Sequence, residues 1–347
     1  MNFLIVAAKT GGHVFPAAAV SKDLITMGHN VVVVGIGSHV EKKAFSKLNS
    51  SYFIIPMDGF RGKNIHLKVK VLFQVILNIF RILKIIKEEK IDAMIGFGGF
   101  ITVPAGIATR IKKKPLFIHE QNAVLGSANK ILHKISKISF MGMPIRGLEN
   151  AILSGNPIRT SFIADNKSQQ IPDSPVNIYI TGGSQGAEYI NENIPIVLKN
   201  FHNINVIHQC GKNNSDKVKK LYQDCNFSFE VNDFYSNPEE NISWSDFVIT
   251  RGGALSLAEI TSMKRGMLII PLPNAIDNHQ YENSKIILNS KIGIIHQQNE
   301  PLETLQQKIE NIIESKIYQN WKNNVNNDHI NATKIIVNSV HDFLNKK

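Results

Sequence analysis

Short apolar runs alternate with stretches of helical period along the whole chain. Residues 3–8, 31–35, 93–96, 116–119 and 138–141 are apolar at consecutive positions, as strands buried on both faces are, and helical patterns separate them. That alternation predicts a parallel sheet covered by helices on both faces. It pauses at 165–175 (DNKSQQIPDSP), a polar stretch with two prolines that reads as a linker. It then restarts, with strands expected at 177–181, 205–208, 227–231, 247–250 and 267–271. Two domains follow, 1–164 and 176–327, with a polar helical tail at 328–347 that can pack back on the first.

Each half opens with an apolar strand, a glycine pair and a helix. The pairs are Gly11-Gly12, with the helix expected to start at Phe15-Pro16, and Gly182-Gly183. The expected fold class is α/β: two Rossmann-like parallel-sheet domains facing across a cleft, with ligands at the C-terminal strand ends. Glycine lets backbone approach an anion, and the helix N-terminus offers free N–H groups and partial positive charge. In the second loop, 181–187 (TGGSQGA), Ser184 adds a hydroxyl donor. Neither loop is G-x-G-x-x-G or a Walker A sequence, which excludes a standard dehydrogenase or P-loop ATPase. A third glycine segment, 96–100 (GFGGF), calls for close approach by a ligand or by neighbouring backbone.

Length and composition agree with two average domains: 347 residues, 43% hydrophobic. Cys210 and Cys225 lack partners at metal-ligand spacing and read as reduced thiols of a cytosolic protein. The apolar start at 1–8 lacks the basic residues of a signal peptide and runs straight into a glycine loop, so it reads as a buried strand. No run reaches the roughly 18 apolar residues of a spanning helix, so the protein is expected to be neither secreted nor integral to a membrane. The net charge of +11 suits nucleic acid, anionic lipid or phosphorylated ligands, although lysine-rich composition accounts for it equally well. There is no arginine-rich tract and no basic–aromatic interleaving, and no nucleic-acid partner is expected.

Polar clusters fall at the predicted strand ends: His119-Glu120-Gln121-Asn122, Asn156-Pro157-Ile158-Arg159, the segment from Arg251 to Glu259, and Asp277-Asn278-His279-Gln280. A carboxylate such as Glu259 can accept hydrogen bonds from both hydroxyls of a ribose. No Asp-x-Asp pair occurs, so no metal is expected, and a leaving diphosphate would fall to helix N-termini and Arg159. Residues 66–87 form a further helix whose polar positions, Lys70, Gln74, Asn78, Arg81 and Lys84, make one narrow stripe. One apolar face is expected to dock on the sheet, and the surplus, flanked by lysine, to meet an anionic membrane surface or a neighbouring helix.

Together these segments resemble the MurG family, the N-acetylglucosaminyltransferases of bacterial peptidoglycan synthesis. The matching stretches are TGGHVFPA at 10–17, GFGGF at 96–100, HEQN at 119–122, SGNPIR at 154–159, TGGSQGA at 181–187, HQCG at 208–211, RGGALSLAEI at 251–260 and PLPNAIDNHQYEN at 271–283. The resemblance implies a GT-B fold and a hexosyltransferase that needs neither metal nor cofactor. It implies inverting transfer of N-acetylglucosamine from UDP-GlcNAc to the muramoyl 4-hydroxyl of lipid I (undecaprenyl-diphosphate-MurNAc-pentapeptide), giving lipid II. Carried over residue by residue, it implies donor contacts from Thr10, Gly11, Gly12, Asn122, Arg159, Ser184, Glu259 and Gln280. Glu259 would hold the ribose, Ser184 and its loop the diphosphate, and backbone near Tyr235 the uracil. It also implies a peripheral place on the cytoplasmic side of the cell membrane and partners among cell-wall and division proteins. The chain departs from the family at Ala8-Lys9, where two glycines are usual. A positive φ at Lys9 would cost roughly 1–2 kcal/mol; alternatively its cation stands near the acceptor diphosphate.

Inverting transfer needs a base for the acceptor hydroxyl. His13 and Glu120 are the candidates, and His13 is placed first because it sits beside the expected acceptor loop and an ordinary imidazole titrates near neutrality. The alternative functions are another GT-B sugar-nucleotide enzyme, such as a glycolipid glycosyltransferase or a 2-epimerase, and a catalytically inactive sugar-nucleotide binder. An epimerase has no lipid acceptor, and a decayed binder has no need of His13, Glu120, Arg159 and Glu259 together.

Overall fold

The computed structural model describes residues 1–8, 10–58, 65–163, 174–183, 185–325 and 328–346, with 65–68 described by their backbone alone. Lys9, Ser184 and all of the expected linker but 174–175 lie outside the described residues. The chain divides into two compact units, Met1–Arg159 with Asp328–Lys347, and Thr160–Asn327.

The first unit holds β1 (Asn2–Val6), β2 (Asn30–Gly35), β3 (Ser51–Ile54), β4 (Ala93–Gly96), β5 (Leu116–Glu120), β6 (Ile138–Met141) and β7 (Ala151–Leu153). They pair in the order β3-β2-β1-β4-β5-β6-β7, every pair parallel. Its helices are α1 (Gly11–Thr26), α2 (His39–Phe45), α3 (Ile65–Glu88), α4 (Thr102–Ile111) and α5 (Ser127–His133). Successive strand residues point to opposite faces, so an all-apolar strand feeds two cores. Phe3, Ile5, Val31, Val33 and Phe117 pack on one side with Val14, Ala17 and Val20 of α1. Leu4, Val32, Val34, Leu116 and Ile118 pack on the other with Ile82, Ile85 and Ile86 of α3 and Ala105 and Ala108 of α4.

The second unit holds β8 (Val176–Thr181), β9 (Ile204–Gln209), β10 (Ser228–Asn232), β11 (Phe247–Thr250), β12 (Gly266–Ile269) and β13 (Gly293–Ile295), again all parallel, in the order β10-β9-β8-β11-β12-β13. Its helices are α6 (Glu188–Leu198), α7 (Ser215–Tyr222), α8 (Pro238–Trp244), α9 (Ala254–Ser262), α10 (His279–Asn289), α11 (Leu302–Glu314) and α12 (Ile317–Trp321). The tail forms α13 (Ala332–Asn345), whose Ile336, Val337 and Val340 are buried in the first unit's core beside α1. Three strands that the pattern did not predict, β3, β7 and β13, lie at sheet edges. These three are three or four residues long and pair on one side only, so they lack the run of buried positions that marks the central strands; the fourth edge, β10, is five residues long.

One expectation needs correction. The glycine openings of the two halves differ. α1 begins at Gly11, a turn before the expected Phe15-Pro16, so Gly11 and Gly12 are its first residues and Pro16 lies within it. In the second unit Gly183 (φ 78°) and Gly186 (φ 74°) shape a separate turn before α6 begins at Glu188. The polar stripe of α3 divides: Lys70, Arg81 and Lys84 are exposed, Gln74 is half-buried and Asn78 is buried. Asn78 is buried and donates from Nδ2 to Pro56 O at 3.1 Å, and Gln74 Oε1 accepts from Asp58 N at 3.1 Å. The segment after β3 covers these amides, and beside the exposed cations the helix leaves an apolar surface: Val69, Leu72, Phe73, Ile76, Leu77 and Phe80.

Candidate active site

His13 stands in the first turn of α1, where backbone N–H groups have no helical partner. Its Nδ1 lies 3.1 Å from the carbonyl oxygen of Ala8 and 3.4 Å from Thr10 Oγ1. A carbonyl only accepts, so Nδ1 carries the proton and Nε2 is the basic nitrogen of the neutral ring. Gly98 (φ 107°) flanks the same ring. Gly99 backs onto Ala8, so the GFGGF segment is glycine-rich because other parts of its own unit press on it. Arg159 lies over the ring of Phe15, 5.3 Å from its centroid, and Phe15 in turn closes on Gly11, where a Cβ would sit 2.8 Å from Cε2.

Glu120, the other base candidate, ends β5 almost fully buried. Its Oε1 accepts from Asn122 N (3.1 Å) and Asn122 Nδ2 (2.9 Å), and its Oε2 from Gly126 N (2.8 Å) and Asn129 Nδ2 (2.9 Å). Two carboxylate oxygens offer about four acceptor positions, and all are taken by the chain from 122 to 129. The HEQN cluster, expected as four ligand-facing side chains, is mostly turned inward. His119 Nε2 donates to Gly155 O at 3.2 Å and Gln121 Nε2 to Phe97 O at 2.7 Å. Of the four, Asn122 is the least buried.

The turn that carries Arg159 is clamped from two sides. Gly155 (φ 78°) passes so close to the tail that a Cβ would meet Asp328 O at 2.4 Å, and Asn156 N donates to His329 Nδ1 at 2.9 Å. Burial pushes both His119 and His329 down to about 4, so both rings are neutral at pH 7.

In the second unit Glu259 lies on α9, largely buried. Gln280, in the first turn of α10, has its Oε1 3.2 Å from Gly252 N and 3.0 Å from Leu272 N, both of which donate to it. Asp277 and Asn278, just before it, are both left-handed (φ 54° and 53°), a strained pair of the kind found where a loop is held for function. Arg251 donates to Ile270 O at 3.0 Å, which turns it away from the role of a free ligand-binding cation. The pattern passed over Gln209, whose amide lies beneath the β8–α6 turn. Its signal was present in HQCG, but one polar residue at a strand end does not announce what it reaches. Among the described residues no group of three or more His, Cys, Asp or Glu side chains is arranged to hold a metal ion.

Residues 3–141 match the model of the glycosyltransferase family 28 N-terminal domain, and 177–336 that of its C-terminal domain. The UDP-N-acetylglucosamine–N-acetylmuramyl-(pentapeptide) pyrophosphoryl-undecaprenol N-acetylglucosamine transferase of Vesicomyosocius okutanii is 34% identical over 97% of this chain and 96% of its own. The crystal structure of Acinetobacter baumannii MurG matches with a TM-score of 0.82 at 29% identity, covering 100% of this chain and 99% of that one. The chain belongs to the MurG family. Its two parallel-sheet units are those of the GT-B fold. The UDP-GlcNAc 2-epimerase of Neisseria meningitidis, with a TM-score of 0.68 at 15% identity over 99% of this chain and 100% of its own, shares with this MurG-family chain the fold alone.

Proposed function

We propose that the chain is an inverting hexosyltransferase that moves N-acetylglucosamine from UDP-GlcNAc to the 4-hydroxyl of the muramoyl sugar of lipid I, giving lipid II. The observation that carries this reading is kinship with enzymes of that name through both units. In the reaction His13 Nε2 takes the proton of the acceptor hydroxyl as its oxygen attacks C1 of the donor sugar. The C1–O bond to the diphosphate breaks and UDP leaves, without a divalent ion or organic cofactor. The protonated Nδ1 held on Ala8 O and the filled acceptor positions of Glu120 favour His13 as base, with Glu120 as the anchor of the loop beside it.

The donor reading assigns Glu259 to the ribose, backbone near Tyr235 to the uracil, and Ser184 with the turn before α6 to the diphosphate, with Gln280 a further donor contact. Amide N–H groups at a helix start favour a phosphate there. The resemblance adds Thr10, Gly11, Gly12, Asn122 and Arg159 to the donor contacts.

The acceptor is a lipid, and the exposed apolar side of α3 suits a peripheral place on the anionic cytoplasmic face of the membrane. Phe73 and Phe80 are each 66% exposed there, with Lys70 and Lys84 at their flanks. Among the described residues no helix is long and apolar enough to cross the membrane.

A transfer assay tests the proposal: purified protein, labelled UDP-GlcNAc and a short-chain lipid I analogue, with EDTA present. Label on the analogue is the expected result. Binding of UDP-GlcNAc without transfer would replace lipid I with another acceptor, and epimerised donor would replace the transferase with an epimerase.

A further inference from the structure

Gln209 ends β9 and is nearly fully buried. Its Nε2 donates to Gly183 O at 3.1 Å and lies 3.3 Å from Thr181 Oγ1. Its Oε1 accepts from Tyr235 N at 3.2 Å. One side chain therefore holds two segments: the turn after β8 and the stretch after β10. The register makes the reach short, because Gln209 pairs with Thr181 on one side and with Asn232 on the other. Gly183 has φ 78°, outside both helix and sheet; its carbonyl accepts from Gly186 N within the turn at 3.1 Å and from the Gln209 amide at 3.1 Å, and its N–H donates to Thr181 Oγ1 at 3.0 Å.

The far end of the same turn is pinned separately. His208 is fully buried, with Nδ1 3.1 Å from Tyr222 OH and Nε2 3.1 Å from Asn191 Oδ1, and Asn191 Nδ2 donates to Cys210 O at 2.8 Å. That carbonyl is what a Cβ at Gly186 would strike, at 2.2 Å. With Gly186 backed by Cys210 and Gly183 N held on Thr181 Oγ1, Gln209 adds the tie from the Gly183 carbonyl to the segment after β10.

We infer that Gln209 is a positioning residue for donor recognition: it couples the segment at Tyr235 to the turn at Gly183, so that the nucleoside and the diphosphate are bound as one unit. The inference rests on the donor reading above, in which the first segment meets the base and the second the phosphates. Gln209 itself touches neither; it acts through two backbone groups, and removing it takes the Oε1 partner from Tyr235 N and one of two donors from Gly183 O, which keeps Gly186 N.

The test is calorimetric binding of uridine and of UDP to the full-length protein, wild type against Gln209→Met and Gln209→Asn, with thermal melting to establish that each variant is folded. Met is neutral, of similar length and unable to hold either segment; Asn is one methylene shorter and can hold only one. Coupling predicts that the UDP-to-uridine affinity ratio falls about tenfold in Gln209→Met, and that the donor KM rises while the acceptor KM does not. A folded variant of either kind whose ratio stays within about twofold of wild type overturns the inference. Wild-type protein that binds no UDP removes the donor reading itself, and the coupling with it.

Discussion

Gly98 stands edge-on to the imidazole of His13: a Cβ at 98 would lie 2.6 Å from Cδ2 and 2.8 Å from Nε2. The ring is thus confined between that α-carbon and the carbonyl of Ala8. Gly98→Ala must therefore push the ring aside, and it also strains a residue at φ 107°. We predict that kcat falls by about a hundredfold, the scale of a general base lost from its place, while UDP binding stays within about twofold. Turnover within a few-fold of wild type would show that His13 does not need this position.

His13→Ala and Glu120→Gln should fail differently. His13→Ala should lower kcat by roughly 10²–10⁴-fold with little change in melting temperature. Glu120→Gln puts an NH₂ where one carboxylate oxygen accepts two hydrogen bonds, and should cost about 1–3 kcal/mol of stability with a smaller loss of turnover. Kinetics and denaturant unfolding of both proteins decide the matter; the opposite pattern would make Glu120 the base.

Acid should unfold the protein early. His119 and His329 are held down to about 4 and His208 to about 3 by burial, against an ordinary 6.5. The unfolded chain takes up these protons first. The stability they contribute is complete above pH 6.5 and is lost as the pH falls toward their folded values. Between pH 6.5 and 5 each buried ring should cost about 2 kcal/mol. His329→Gln keeps an acceptor for Asn156 N and should remove about a third of that fall. Urea unfolding at the two pH values measures it, and an identical fall in wild type and variant would refute the assignment.

The outward side of α3 can be tested without disturbing the core. Phe73→Asp with Phe80→Asp changes two side chains that are each 66% exposed, so the melting temperature should hold. Sedimentation with anionic phospholipid vesicles should fall at least several-fold, and transfer to a short-chain acceptor in detergent-free solution should persist. Vesicle binding equal to wild type would assign that side to something other than lipid.

The strands at 93–96 and 247–250 were readable to the residue because neighbours on both sides bury every position, and 138–141 because its two central positions are buried. β3 and β13 were not, since one-sided pairing imposes no continuous apolar run. The chemistry was legible as clusters but not as directions. HEQN was visible as a polar knot, yet whether Glu120 faces a substrate or its own loop depends on Gly126 and Asn129, which no local pattern connects to it. The polar positions of α3 were likewise visible, but their partners at Pro56 and Asp58 lie across a connection, so inward and outward could not be told apart.

The return of α13 to the first unit makes the whole of Thr160–Asn327 an insertion in it. Ile336, Val337 and Val340 complete a core whose other members lie in the first 140 residues. During synthesis, then, the amino-terminal unit is the last to be finished. Its sheet forms with one side only partly covered, by α1, and waits while the inserted unit, whose strands and helices are contiguous in sequence, emerges and folds. The order of maturation is the reverse of the order of translation, and the exposed side of the waiting sheet is where a chaperone would bind.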